Sequence, residues 1–495
     1  MKSLYDGDIK MWQNIFTQKI DSHFPAAPGG IVLPHHMIVA NEISKTYQKL
    51  AEVSHPSLIV IISPNHYEDG QSLIQTCSSC EYQTTEGNTI IDTSLAKKLT
   101  QNNIATDEPK TFIKEHGVFN HAPFIKHFFP EAKMLPILIK WEAPSEKTVE
   151  LSNWLDANIP KDALVIASVD FSHYVPVEHA NFHDISSYAT IKNFDYQNMY
   201  DLEIDSPPSI STITHLMEKR GYMSAERFTH TNNQQFQPEP IPETTSHQFI
   251  GFFKGEKRPE KSLTIMSFGN MSPDQRKNDD GSQLGLYDNY RWNIDWPDGV
   301  TESKAINFNK WLRDFRGKED RMLMGADFLV FNLPDFCTQK AQNGINITFC
   351  KIRTSSAGYE KDLKNWTTFF QKQSQKNNTT FYVSIDDSRN YQLSAWQWTN
   401  LSHQIANLRR SIIIGTGTNT STPIEHYKGS LLIQSLGNFT TSPDIKKSFG
   451  KIAEIIITPG EIKAEIYKVD ILNGYPQLPF KSSNKNQNIK PLQKG

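Results

Sequence analysis

A chain of 495 residues is too long for one core of ordinary size, so two or three domains are expected. A formal net charge of -3, with 21% of residues charged, argues against nucleic-acid binding and against a polybasic membrane anchor. The four cysteines, Cys77, Cys80, Cys337 and Cys350, do not describe a disulfide scaffold, and the lone CSSC lacks the partner pair or thioredoxin-like context that redox or zinc chemistry needs.

The start, MKSLYDGDIKMWQNIF, has no apolar signal region, and no apolar run is long enough to span a bilayer. A soluble cytoplasmic protein is expected. Residues 1–24 read as a short amphipathic lead-in. Ile31-Val32-Leu33 then begins a strand that stops at Pro34-His35-His36, and Val39, Ile43, Tyr47 and Leu50 follow at helical spacing. The run from Leu58 is a second strand, buried on both faces, that ends at Ser63-Pro64-Asn65-His66. The polar stretch 68–88 reads as a hairpin or an excursion. A helix is expected from Thr93, then the segment Lys114-Glu115-His116-Gly117 running on to His121, and a strand over 134–139. A helix covers Val149 to Trp154. The strand 163–168 runs into Val169-Asp170-Phe171-Ser172-His173-Tyr174. Asp205-Ser206-Pro207-Pro208 opens a helix, and 248–254 closes the domain as a last strand.

Strands alternating with helices define an α/β domain with a mostly parallel sheet. In such sheets ligands sit beyond the carboxyl ends of the strands. Here those ends carry His35, His36, His66, Asp170 and His173, with Glu115 and His116 in a nearby loop. Imidazole and carboxylate are the usual ligands of a first-row divalent metal, and two histidines with one carboxylate leave positions open for substrate. His35 and His66 are the natural first ligands, and Asp205 or Asp170 is available as the third. His116 and His173 suit support of those ligands or acid–base work.

These residues resemble the Memo-like family, also called AmmeMemoRadiSam system protein B, which is similar in fold to LigB-type extradiol dioxygenases. The family's PHAG is similar to Pro34-His35-His36-Met37, its GPSHH to Ser63-Pro64-Asn65-His66-Tyr67, and its EHS-type segment to Glu115-His116-Gly117. SSDFSHY resembles Ser168 to Tyr174, and a late TTS resembles Thr244-Thr245-Ser246. The resemblance covers residues 25–256 and implies His35 and His66 as metal positions. Asp205 stands where human-type members carry a cysteine. Around these positions His116, Asp170 and His173 are expected as catalytic groups, with His36, Glu115 and Tyr67 supporting the ligands. The chain departs from the family at His36, which replaces a small residue, and at Tyr67, which replaces a second histidine. The implied cofactor is a divalent metal, iron or copper, with zinc the other choice.

Residues 257–262 read as a linker. Beyond them come a strand from Leu263, a polar loop over 272–299, a helix at Trp311 and Leu312, and strands at 327–331, 381–385 and 411–414. Helices lie at 363–370 and 395–408. A hairpin over 452–457 and 462–469 turns at Pro459-Gly460, and residues 479–495 form a disordered tail. Over 263–478 the chain resembles the CapA family, similar to calcineurin-like metallophosphatases. The resemblance rests on SLGNF at Ser435 to Phe439, NLP at Asn332 to Pro334, SFGN at Ser267 to Asn270 with Arg276 following, and EHYKG at Glu425 to Gly429. The family's metal positions are replaced by Asn270, by Ser384-Ile385-Asp386 and by Gly415 to Asn419. A two-metal phosphoesterase needs several His and Asp ligands together, so this domain is expected to be non-catalytic.

The combined expectation is a two-domain α/β protein, Memo/LigB-like then CapA-like, acting as a metal-dependent redox protein on an unidentified small molecule. The alternative is a binding or scaffold protein working with a radical-SAM enzyme and an Ammecr-type partner. Neither reading involves nucleic acid or a membrane.

Overall fold

The structure is a computed structural model that describes residues 9–269, 300–302, 326–330, 333, 337–353, 357–376, 379–386, 393–416, 424–437, 447–472 and 475–477. The expected loop at 272–299, the helix at Trp311 and Leu312, and the tail lie outside the described residues. So do Asn270, Arg276, Asn332, Pro334, Gly417, Thr418, Asn419, Asn438 and Phe439. The chain divides into two compact units, 1–260 and 261–495.

The first unit is built on a ten-stranded sheet. Its strands, in chain order, are β1 Gly30–Leu33, β2 Leu58–Pro64, β3 Ile74–Thr76, β4 Ile90–Ile91 and β5 Thr106–Asp107. They continue as β6 Lys133–Ile139, β7 Leu164–Ser168, β8 His173–Val175, β9 Ser224–Asn232 and β10 Thr244–Phe253. The spatial order is β8-β10-β1-β7-β2-β6-β3-β5, with β9 also on β10 and β4 also on β6. The central run β1-β7-β2-β6 is parallel throughout. The β-branched run LIVIISP of β2 carries no charge, and all of its residues are buried. Successive side chains on a strand point to opposite faces. Val60, Ile62, Val165 and Ala167 therefore join one core, while Ile59, Ile61, Leu164 and Ile166 join the other. Each of the larger of these side chains contributes roughly 1.5–3 kcal/mol on burial.

Helices cover both faces. Trp12 of α1 (Ile9–Phe16), Ile43 and Tyr47 of α2 (Ala40–Val53) and, further along, Phe124 pack on one side. On the other lie Leu99 of α3 (Thr93–Gln101), and residues of α6 (Ser145–Asn158) and α8 (Pro207–Lys219), including Leu151 and Ile213. Between these sets come α4 (His116–Phe119), α5 (Ala122–Phe128), which carries Phe124, and α7 (Val177–Asn193). Proline fits the first turn of a helix, where its missing N–H has no partner to lose. Pro207 and Pro208 start α8 in this way, and the Ser206 side chain accepts from the Ser209 N–H. That cap fixes Asp205 just outside the helix.

The stretch 68–88 supplies β3 and a small hairpin, Gln83–Thr84 with Gly87–Asn88. The last strand begins at Thr244 rather than Gln248. Helix α7 and strand β9 have no counterpart in the sequence reading. Cys77 is bonded to Cys80, and Cys337 to Cys350, so all four cysteines are paired.

Among its described residues the second unit has two six-stranded sheets. In one, Ile345–Arg353, Thr380–Asp386, Ser411–Thr416 and Ser430–Ile433 run parallel. The other pairs Leu263–Phe268 with Phe328–Val330 on one side and Lys447–Ile457 on the other. Leu263, Ile265 and Ile455 of one sheet share a core with Ile347, Ile412 and Ile433 of the other. Helices Tyr359–Lys376 and Ala395–Leu408 add Phe370, Leu401 and Ile405 to a second core with Val383 and Ile413. This is again an α/β arrangement.

Candidate metal centre

Three of the four central parallel strands of the first unit deliver one polar group to the site just past their carboxyl ends. His35 follows β1, His66 follows β2, and Asp170 follows β7. Asp205 arrives from the N-terminal side of α8. Its backbone N–H donates to the Asp170 carbonyl at 3.1 Å, and the Asp170 N–H donates to Asp205 Oδ2 at 3.1 Å. This reciprocal pair ties two loops together across a gap of 35 residues in sequence.

The donor atoms converge. His35 Nε2 lies 3.3 Å from Asp205 Oδ2 and 3.3 Å from Asp170 Oδ2, and His66 Nε2 lies 3.6 Å from Asp205 Oδ2. Ligand atoms that each stand about 2 Å from one ion are separated by roughly 3 Å or a little more. Among the described residues two groups of three donors have ligand atoms within 4.8 Å of one another, His35 with His66 and His116, and His35 with Asp170 and Asp205, so His35 is common to both. The other ring nitrogens are already engaged: His35 Nδ1 with the Ser168 hydroxyl at 3.0 Å, and His66 Nδ1 with Glu115 Oε1 at 2.6 Å. Such partners fix ring orientation and leave Nε2 for a metal. Asp205 Oδ1 is buried with no hydrogen-bond partner, an orphaned acceptor that a cation would satisfy. The residues therefore fit a divalent metal of the type that takes imidazole and carboxylate ligands.

Electrostatics point the same way. Burial pushes the His66 pKa down, but hydrogen bonds to Asp205 and Glu115 outweigh it and raise the value from 6.5 to about 10. Burial alone would raise the Glu115 carboxyl, yet the His66 hydrogen bond and charge leave it below its ordinary value. Asp170 is likewise held well below the usual carboxylate range, with His35 and His247 overcoming its burial. His116 is driven down to about 3, first by burial and then by the charges of His35 and His66. Without a metal, the centre thus holds a proton on His66 that a cation must displace.

Of the sequence candidates, His116 joins the cluster, with its ring stacked 4.1 Å from that of His66. Glu115 caps α4 by accepting from the Gly117 N–H, and also accepts from the His66 backbone N–H at 2.9 Å. His173 opens the edge strand β8, where its charge also lowers Asp170. His36 belongs to neither donor group; its Nδ1 accepts from the Ile38 N–H, and its ring lies 5.6 Å from that of His247. Tyr67 is 51% exposed. Sequence reasoning gave no role to Ser168, His121, His247 or Tyr47. His247 sits between Asp170 Oδ1 at 3.2 Å and Asn233 Oδ1 at 2.9 Å. The signal for it was its place directly after Thr244-Thr245-Ser246. In the second unit, Asp386 lies beside Arg353 at 3.1 Å and Lys351 at 3.8 Å, cations that suit an ion pair.

A parallel-centred α/β sheet with histidine and aspartate donors at the strand ends defines an α/β domain with a candidate metal centre. The family model for Memo-like protein matches residues 4–226 of the chain, and this stretch is similar to that family. A MEMO1 family protein of Saccharolobus islandicus is 28% identical over 178 residues, which are 34% of this chain and 62% of that protein. One from Caldivirga maquilingensis is 25% identical over 240 residues, 45% of this chain and 83% of that protein. The chain thus spans somewhat under two thirds of the length of the first of these relatives. An uncharacterized protein, JW3007 of Escherichia coli K12, aligns over 45% of this chain and 99% of its own at 14% identity, with a TM-score of 0.31, too low to carry an argument.

Proposed function

We propose that the first unit is a metal-dependent redox module whose ligands are His35, His66 and Asp205, binding iron or copper, with zinc as the other fit. The observation that carries this reading is the convergence of two Nε2 atoms and one carboxylate oxygen whose neighbours already occupy both Nδ1 positions. A metal of this class, once bound, supplies Lewis acidity and, for iron or copper, electron transfer. Asp170 stays ionised beside His35 and balances the cation's charge. His116 borders the ligands as a neutral imidazole. With its pKa near 3 it is a weak base in the metal-free chain, and a divalent cation in place of the His66 proton would only add to the positive charge that depresses it.

The resemblance to AmmeMemoRadiSam system protein B extends this reading to a small-molecule redox reaction. The second unit, CapA-like by resemblance, would serve as a non-catalytic module. Its Cys337–Cys350 pair and the Cys77–Cys80 pair of the first unit suit an oxidising compartment rather than the cytoplasm. Among the described residues, no helix is long and apolar enough to cross a membrane.

The test is metal content by elemental analysis of the purified chain, native and His66→Ala, after reconstitution with iron, copper or zinc. One equivalent in the native protein and a large loss in the variant are expected. Equal content in both would remove this reading.

A further inference from the structure

Beneath His35 a chain of buried groups leads away from the ligand set into the core. The Ser168 hydroxyl, at the end of β7, lies 2.6 Å from the Gly117 carbonyl oxygen. Two oxygens that close repel unless a proton lies between them, so the single hydroxyl proton of Ser168 points to Gly117. Ser168 Oγ is left with lone pairs only, and two imidazole nitrogens face them: His35 Nδ1 at 3.0 Å and His121 Nε2 at 3.2 Å. Both nitrogens must donate. On the far side of the second ring, Tyr47 OH lies 3.0 Å from His121 Nδ1. Burial pushes the His121 pKa down to about 3, so its ring is neutral and carries one proton. That proton is on Nε2, and Nδ1 accepts from the Tyr47 hydroxyl. Tyr47, His121 and Ser168 are each fully buried, so no water competes for these groups.

We infer that Tyr47, His121 and Ser168 form a tautomer lock that keeps a proton on His35 Nδ1 and so presents the Nε2 lone pair to the metal. The inference deepens the metal reading above and assigns three positioning residues to it. Tyr47 is the keystone, because its hydroxyl donates only while His121 Nδ1 is bare. Without that donor His121 can move its proton to Nδ1. Its Nε2 lone pair then draws the Ser168 proton from Gly117, and the support under His35 loosens. Partners of metal-bound histidines typically change metal affinity by about 10- to 100-fold when lost.

The experiment is nitrogen-15 NMR of the full chain with labelled histidines, native and Tyr47→Phe, without metal, followed by zinc titration of both. The native spectrum is expected to show His121 protonated at Nε2 and His35 protonated at Nδ1. Tyr47→Phe is expected to show a mixed His121 tautomer and zinc affinity about tenfold weaker. A native His121 protonated at Nδ1 would overturn the lock, as would a folded Tyr47→Phe chain with unchanged tautomers and affinity. Lower melting temperature alone, with tautomers and affinity intact, would mark Tyr47 as a packing residue and also overturn it. If the native chain takes up no zinc, the metal reading falls, and the native tautomers still decide the lock. If Tyr47→Phe does not fold, the native spectrum remains decisive.

Discussion

His66 is gripped at both ring nitrogens, by Glu115 on Nδ1 and by Asp205 near Nε2. Because its folded pKa is raised from 6.5 to about 10, the proton stabilises the metal-free fold fully below pH 6.5, and that contribution is lost as pH rises through about 10. Chemical unfolding of the metal-free chain between pH 6 and pH 10.5 should therefore show falling stability. A flat or rising profile would contradict the assigned grip. The same proton competes with a metal, so apparent metal affinity should rise with pH over this range. At this scale the site is legible in the sequence because the ligands His35 and His66, like their neighbour Asp170, break apolar runs, and Asp205 precedes a proline pair. Tyr47 was read as one member of the apolar stripe of α2. Nothing local to the sequence shows that its hydroxyl meets His121, which lies 74 residues away.

Helix α4 links the supports of both histidine ligands through one residue. The Gly117 N–H donates to Glu115 Oε1, the partner of His66, and the Gly117 carbonyl accepts from Ser168, the partner of His35. A Cβ at this position would lie 2.0 Å from Ser63 Oγ. Alanine gains about 1 kcal/mol over glycine in an open helix, but overpacking a tight site costs about 1–3 kcal/mol. An approach of 2.0 Å to a buried side chain decides in favour of the cost. Gly117→Ala should lower stability by about 1–2 kcal/mol and weaken metal binding, as read by denaturant titration and metal titration. A second change, Ser63→Ala, should restore part of the loss. A stabilised Gly117→Ala chain would contradict this account. The elements that sequence missed are instructive here. Helix α7 buries His183 against Glu203 at 2.6 Å, and Asp184 against His230 and Ser246 at 2.6 Å and 2.9 Å. Buried charges held by partners on other elements look like surface residues in a sequence, and they hide the helical period.

Across the whole chain, the sequence announced the buried parallel strands because a strand covered on both faces must be apolar throughout. It did not announce the paired cysteines, since spacing alone does not give connectivity. Nor did it show that Asp386 of the second unit stands among cations. The first unit assembles its centre from segments spread between His35 and His247, so the site exists only when the sheet is complete. Crystallography of the metal-loaded chain, with anomalous scattering at the metal edge, tests both the location of the centre and its ligand set. The account predicts one ion about 2 Å from His35 Nε2, His66 Nε2 and an Asp205 carboxylate oxygen. An ion held through either Nδ1, or bound only away from these three side chains, would contradict it.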